Sequence, residues 1–152
     1  MKYYRTVMSI IFSLILSQSV LSQQLVSVSA TQLQPRSQAG YVFVIQTTQP
    51  LSPNSGFVIV FPQAFMLQNV KMGATKAFRG GVTVEVRGDT AIVRRTGLGD
   101  TAPAGDIDIF LASVINPPDM EQEFDFKITR LDGELPGTVV DTRIAIRQAQ
   151  SR

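Results

Sequence analysis

The 152-residue chain has no cysteine, no histidine and no tryptophan. Without cysteine there is no disulfide, no thiolate nucleophile, no iron–sulfur cluster and no thiolate zinc site. Without histidine there is no Ser-His-Asp triad, no imidazole metal ligand and no side chain that changes charge near neutral pH. Charged residues make up only 17% of the chain and hydrophobic ones 44%, a globular balance with little charge to spare. The length allows one domain with a tail, large enough to fold around its own core without staples.

The first segment reads as an address. Lys2 and Arg5 precede an apolar stretch from Val7 to Leu16, and Val20 and Ser22 stand at the −3 and −1 positions of a cut before Gln23. A membrane anchor is the competing reading. Ser9 and Ser13 interrupt the apolar run, which falls short of the ~20 residues a span needs. Residues 1–22 are therefore expected to be a cleaved secretory signal, with no membrane insertion of the mature chain. Cleavage removes Lys2 and Arg5, leaving 12 basic residues against 12 acidic ones. An exported chain without cysteine belongs to a compartment that does not enforce disulfides or to a fold that does not need them.

From Leu25 onward the pattern has period two, broken by turn residues. Leu25 to Ala30 alternates weakly and Pro35 to Gly40 interrupts it. Tyr41-Val42-Phe43-Val44-Ile45-Gln46-Thr47 and Phe57-Val58-Ile59-Val60-Phe61 are β-branched and aromatic runs of strand type. Val82 to Arg87 alternates cleanly, and Gly88-Asp89 links it to Thr90–Arg95 as a two-residue hairpin. Further strands are expected over 106–114, 124–129 and 139–146. Spacing of about ten residues, with no stripe of helical period, predicts an all-β fold: an Ig-like antiparallel β-sandwich of seven or eight strands. The expected divisions are the signal at 1–22, an N-terminal strand or arm at 23–36, the sandwich at 37–148 and a tail at 149–152.

The order of landmarks resembles the Ig-like β-sandwich repeats of large secreted and cell-surface proteins in protists. The carriers are Gly56-Phe57-Val58-Ile59-Val60-Phe61-Pro62, Val114-Ile115-Asn116-Pro117 and Phe124-Asp125-Phe126-Lys127-Ile128-Thr129 followed by Asp132-Gly133. The likeness would cover about residues 25–146. It departs from those repeats in having no cysteine and a single copy. It implies an extracellular structural or surface role and no catalytic residue.

Little catalytic chemistry is on offer. Asp106, Asp108, Asp119, Glu121, Glu123 and Asp125 crowd two segments, but their spacing fits no EF-hand loop. A solvated face paired with Lys127 and Arg130 is the favoured reading, with no metal and no cofactor. Paired carboxylates for glycoside hydrolysis lack a tryptophan platform and a chain of usual size. Arg79 and Arg94-Arg95 make no basic stripe on a mature chain of zero formal charge, so no nucleic-acid partner is expected. The chain is expected not to be an enzyme.

Assembly is the stronger signal. The strand runs carry apolar residues on both parities, and a second apolar face beyond the core marks an interface unless other chain covers it. The candidate assembly residues are Leu25, Val26, Val28, Val42, Val44, Val58, Val60, Val140, Ile144 and Ile146. Either this face joins copies or the 63–80 loop or the N-terminal segment folds over it. Residues 23–34 either complete their own sheet or add to the edge of a neighbouring subunit, which propagates as a filament if the rotation does not close. Thr47, Thr48, Ser52 and Thr101, beside prolines in turns, are candidate O-glycan sites. The expected function is a secreted non-catalytic subunit of an extracellular filament or surface coat that self-associates. The alternative is a monomeric adhesion or carbohydrate-binding module that takes glycans through loops 63–80 and 97–105.

Overall fold

The computed structural model describes residues 23–133 and 135–149; residues 1–22, the expected signal segment, lie outside them. The described residues form ten strands and no helix: β1 (Gln24–Ala30), β2 (Gln38–Thr47), β3 (Ser55–Val60), β4 (Gly73–Ala74), β5 (Val82–Arg87), β6 (Thr90–Arg95), β7 (Gly105–Ile115), β8 (Glu123–Asp132), β9 (Leu135–Ala145) and β10 (Arg147–Gln148). They make two five-stranded sheets, one ordered β10-β1-β2-β7-β4 and the other β5-β6-β3-β8-β9. The chain is a β-sandwich. It exceeds the expected seven or eight strands by β4 and β10, which at two residues each are too short to show a period.

Alternation decides which residues face inward. In β2, Ala39, Tyr41, Phe43 and Ile45 are buried while Val42 and Val44 are half-buried on the other side; in β3, Phe57 and Ile59 are buried and Val58 and Val60 face away. The inward aromatics meet between the sheets. Phe43, Phe61 and Phe126 stand edge to face with centroids 5.3–5.4 Å apart, and Phe65 packs on Phe124 at 5.0 Å. Gly88 at φ +61° makes the β5–β6 turn in the two-residue form expected from Gly88-Asp89. In β7 the register with β2 slips between Ala39 and Tyr41, and Ser113, at φ +68°, occupies the bulge.

The two long edges of the sandwich close differently. On one, the segment after Pro62 bridges at Met66 to Ile115, adds β4 to β7, and crosses to β5. There Gly73 lies so close to β5 that a Cβ would stand 2.5 Å from Val84 Cγ2. On the other, β9 leaves its sheet through the buried Ile146 and becomes β10, parallel to β1. β1 itself pairs antiparallel with β2, from Gln24 opposite Gln46 to Ala30 opposite Tyr41. Of the two fates open to the N-terminal arm, the structure therefore shows the first: residues 24–30 complete their own sheet. No helix among the described residues is long and apolar enough to cross a membrane.

Candidate assembly surface

The pairing registers assemble the outer face of the second sheet row by row. Its central row runs across all five strands: Glu85, Ile92, Val58, Thr129 and Val139. Ile92, Val58 and Thr129 are half-buried by their neighbours alone, and Val139 is 59% exposed at the end of the row. One flanking row reads Arg87, Thr90, Val60, Lys127 and Asp141; the other reads Thr83, Arg94, Gly56, Leu131 and Pro136. The face thus has an apolar centre, with its charge gathered mainly in the row of Arg87, Lys127 and Asp141. Leu131 is buried on this outer side by simple alternation, two residues beyond the outward Thr129 in an unbroken register with β3, and Arg94, which donates to the Gly133 carbonyl at 3.0 Å, shares its row.

The ten candidate residues do not form one patch. Leu25, Val28 and Ile146 are buried in the core, so they are removed from any surface contact. A bulge between Leu25 and Ser27 in the pairing of β1 with β2 turns both Leu25 and Val28 inward, and Ile146 is buried where the chain crosses from β9 to β10. Val42 and Val44 lie on the outer face of the first sheet, whereas Val58 and Val60 lie on the opposite side of the sandwich. Phe110, beside Val42 in register, lies over Gly40, where a Cβ would meet its ring at 2.6 Å. Val140 and Ile144 share the inward parity of β9, paired with the core residues Ile128 and Phe124, and remain half-exposed at the open edge. Val26 is 46% exposed. Ile92, Thr129, Leu131 and Val139 were missing from the expected set. Ile92 was readable from the alternation of Thr90–Arg95, while Leu131 lies beyond the 124–129 run expected as a strand.

The acidic residues do not converge on one point. Asp108 accepts from the Lys76 amide at 3.1 Å and from Thr75 Oγ1 at 3.4 Å, and Asp119 accepts from the Glu121 amide at 2.9 Å. The expected pairing of the cluster with Lys127 and Arg130 is corrected by β9, which lies against β8 and brings its own charges. Arg143 approaches Glu123 at 3.6 Å and Asp125 at 3.9 Å, Lys127 pairs with Asp141 at 3.7 Å, and Arg130 holds Asp132 at 2.8 Å. No group of three His, Cys, Asp or Glu among the described residues is placed to hold a metal ion. Of the candidate glycan sites, Thr48, Ser52 and Thr101 are exposed. Thr47 is not a site: it is 3% exposed and its hydroxyl donates to the Gly105 carbonyl.

Two buried polar groups organise loops. Arg95, 6% exposed, donates to the carbonyls of Leu51 at 2.7 Å and Asp100 at 2.6 Å, and its guanidinium stands 4.2 Å from the Phe78 ring centre. Burial pushes its pKa below the ordinary arginine value, with the charge of Asp100 acting in the opposite direction. Asn116 accepts from the Tyr41 hydroxyl and donates to the carbonyls of Gln32 and Gln34. An open groove of about 750 Å³ lies between residues 63–68 and the β5–β6 turn, lined by Gln63, Met66, Gln68, Val86 and Asp89 among others.

No protein-family model matches the chain, and no curated protein sequence does. Among solved structures, the chain is similar to the cohesin module of a family 33 glycoside hydrolase from Clostridium perfringens, with a TM-score of 0.51 and 11% identity over 80% of this chain and 96% of that one. The N-terminal domain of a Streptococcus gordonii adhesin gives a TM-score of 0.45 and 15% identity, over 78% of this chain and 32% of that one. At 11% identity the likeness to the cohesin module speaks to the fold, an all-β sandwich.

Proposed function

We propose that the chain is a secreted, non-catalytic structural protein, a subunit of an extracellular filament or surface coat whose copies meet through their β-sheets. The observation that carries this reading is the row Ile92, Val58, Thr129 and Val139 on the outer face of the second sheet. A sandwich needs one apolar face per sheet, and a second one gains free energy only when something covers it. The 63–80 segment does not supply the cover, because it closes the edge between β7 and β5 instead. The two buried polar side chains described above, Arg95 and Asn116, are committed to holding loops, which supports a structural role. The shared landmarks with protist surface repeats support an extracellular location.

The alternative, a monomeric adhesion or carbohydrate-binding module, is favoured by the groove at 63–68, where two glutamine amides and the Asp89 carboxylate offer hydrogen bonds beside Met66. Electron microscopy and light scattering of the native secreted protein separate the two. Regular polymers support the structural reading. A sharp monomer that binds glycans, and loses them on Gln68→Ala, supports the other.

A further inference from the structure

The second sheet ends on one side at β9, eleven residues long, with no neighbouring strand beyond it among the described residues. A strand of that length with a bare edge is a template for another strand. Natural edges are blunted by proline, by charge, by bulges or by brevity; the bulge and Pro136 of β9 lie before Val139, and from Val139 to Ala145 the edge has no proline, its charges being Asp141 and Arg143.

The sequence of that edge is complementary to itself. If β9 lies antiparallel to a second β9 with Thr142 at the twofold axis, Asp141 faces the partner's Arg143, Val140 faces the partner's Ile144, and Val139 faces the partner's Ala145. Registers that keep each face on its own side differ from this one by two residues. One such shift sets Asp141 against its own copy, and the other sets Arg143 against its own copy. Like charges directly opposite are unfavourable, so the charges select the Thr142-centred register.

The register also extends what each chain already has. Lys127 lies opposite Asp141, and Asp125 opposite Arg143, within one chain. Across the joint the row would read Lys127, Asp141, the partner's Arg143 and the partner's Asp125, alternating in sign over four strands. On the inner side Val140 and Ile144, half-exposed at the bare edge, would cover each other.

We infer that the protein forms a twofold dimer by antiparallel β9–β9 pairing centred on Thr142, joining two second sheets into one of ten strands. The inference rests on the assembly reading above and names its partner, a second copy of this chain, and its edge. The dimer leaves the outer apolar rows of both subunits on one continuous face, free to stack further.

The test uses two single substitutions and their mixture. Asp141→Arg makes every copy cationic at both positions, and Arg143→Glu makes every copy anionic at both. Each alone would meet like charge in a homodimer, and association is expected to weaken about tenfold or more. An equimolar mixture restores both complementary pairs and is expected to associate as the wild type does. Each variant also sets like charge against its β8 neighbour, Lys127 or Asp125, but both side chains are well exposed, at 59% and 69%, so the cost is expected to stay below about 1 kcal/mol and circular dichroism to be unchanged. In a Val58→Lys background, which removes further stacking of the sheets, light scattering that shows a dimeric parent, two monomeric variants and a dimeric mixture supports the pairing. A monomeric parent, variants that associate alone like the parent, or a mixture that stays monomeric overturns it. If polymers persist through both substitutions but vanish with Val58→Lys, the assembly reading stands and this edge pairing falls.

Discussion

The hydroxyl of Tyr41 in β2 donates a 2.5 Å hydrogen bond to Oδ1 of Asn116, the residue that follows β7. The same amide donates to the carbonyls of Gln32 at 3.1 Å and Gln34 at 2.9 Å, tying the β1–β2 connection to the core. Tyr41→Phe keeps the ring stack and leaves Oδ1 buried without its donor, at an expected cost of about 1–3 kcal/mol. Asn116→Ala removes all three bonds and is expected to cost more. It should also speed hydrogen exchange in residues 31–37, which Tyr41→Phe should not. Urea unfolding with amide exchange checks both.

The same tyrosine predicts an alkaline limit. Burial pushes the Tyr41 hydroxyl well above its ordinary value of 10.0. The folded state holds its proton where the unfolded chain releases it. Stability is therefore fully present below pH 10 and falls above it, at up to about 1.4 kcal/mol per pH unit for this one group. The chain has three tyrosines, and the other two, Tyr3 and Tyr4, fall in the segment proposed to be cleaved. In the mature protein, tyrosinate absorbance should thus appear only as the protein unfolds, and in urea near pH 10. Tyr41→Phe should flatten the alkaline decline.

Arg95 holds the 96–100 loop and the Leu51 bridge from inside. Arg95→Met leaves the carbonyls of Leu51 and Asp100 without their charged donor, and is expected to cost about 2–4 kcal/mol. Arg95→Lys should recover only part, since one ammonium cannot reproduce the planar fork. Limited proteolysis should cut within 97–100 first.

Two glycines should respond differently to alanine. At Gly56 a Cβ would stand 2.3 Å from the Val93 carbonyl oxygen and 3.0 Å from Arg94 Cα, both backbone atoms of the paired strand. Gly56→Ala is expected to cost more than about 3 kcal/mol or to prevent folding. At Gly88 nothing lies within 4 Å of the added carbon, and the φ of +61° is the remaining obstacle, worth about 1 kcal/mol. Thermal unfolding of the two variants separates steric from conformational cost.

The strands were legible because period two is written into them. Tyr41, Phe43 and Ile45 against Val42 and Val44 follow the alternation, as do Phe57 and Ile59 against Val58 and Val60. Sheet membership was not legible, because alternation says which face a residue takes and nothing about which strand lies beside it. That is why Val42 and Val58 were grouped together although they lie on opposite sides of the sandwich. β4 and β10 are too short to carry a pattern, and β8 runs on to Asp132, past the turn expected from Leu131. Arg95 and Asn116 draw their partners from carbonyls distant in sequence, and no local motif announces such partners.

The central claim is that the outer face of the second sheet joins copies of the chain. The most direct measurement is light scattering with negative-stain microscopy on the protein lacking residues 1–22 and on its Val58→Lys variant. Val58 is half-buried in the middle of the apolar row, and the long lysine stem can lie along its neighbours, so the fold should survive with less than about 1 kcal/mol lost. The account predicts that the wild type forms regular assemblies and that Val58→Lys stops at a dimer or below. A wild type that remains monomeric at high concentration, or assemblies that persist unchanged in the variant, would contradict it.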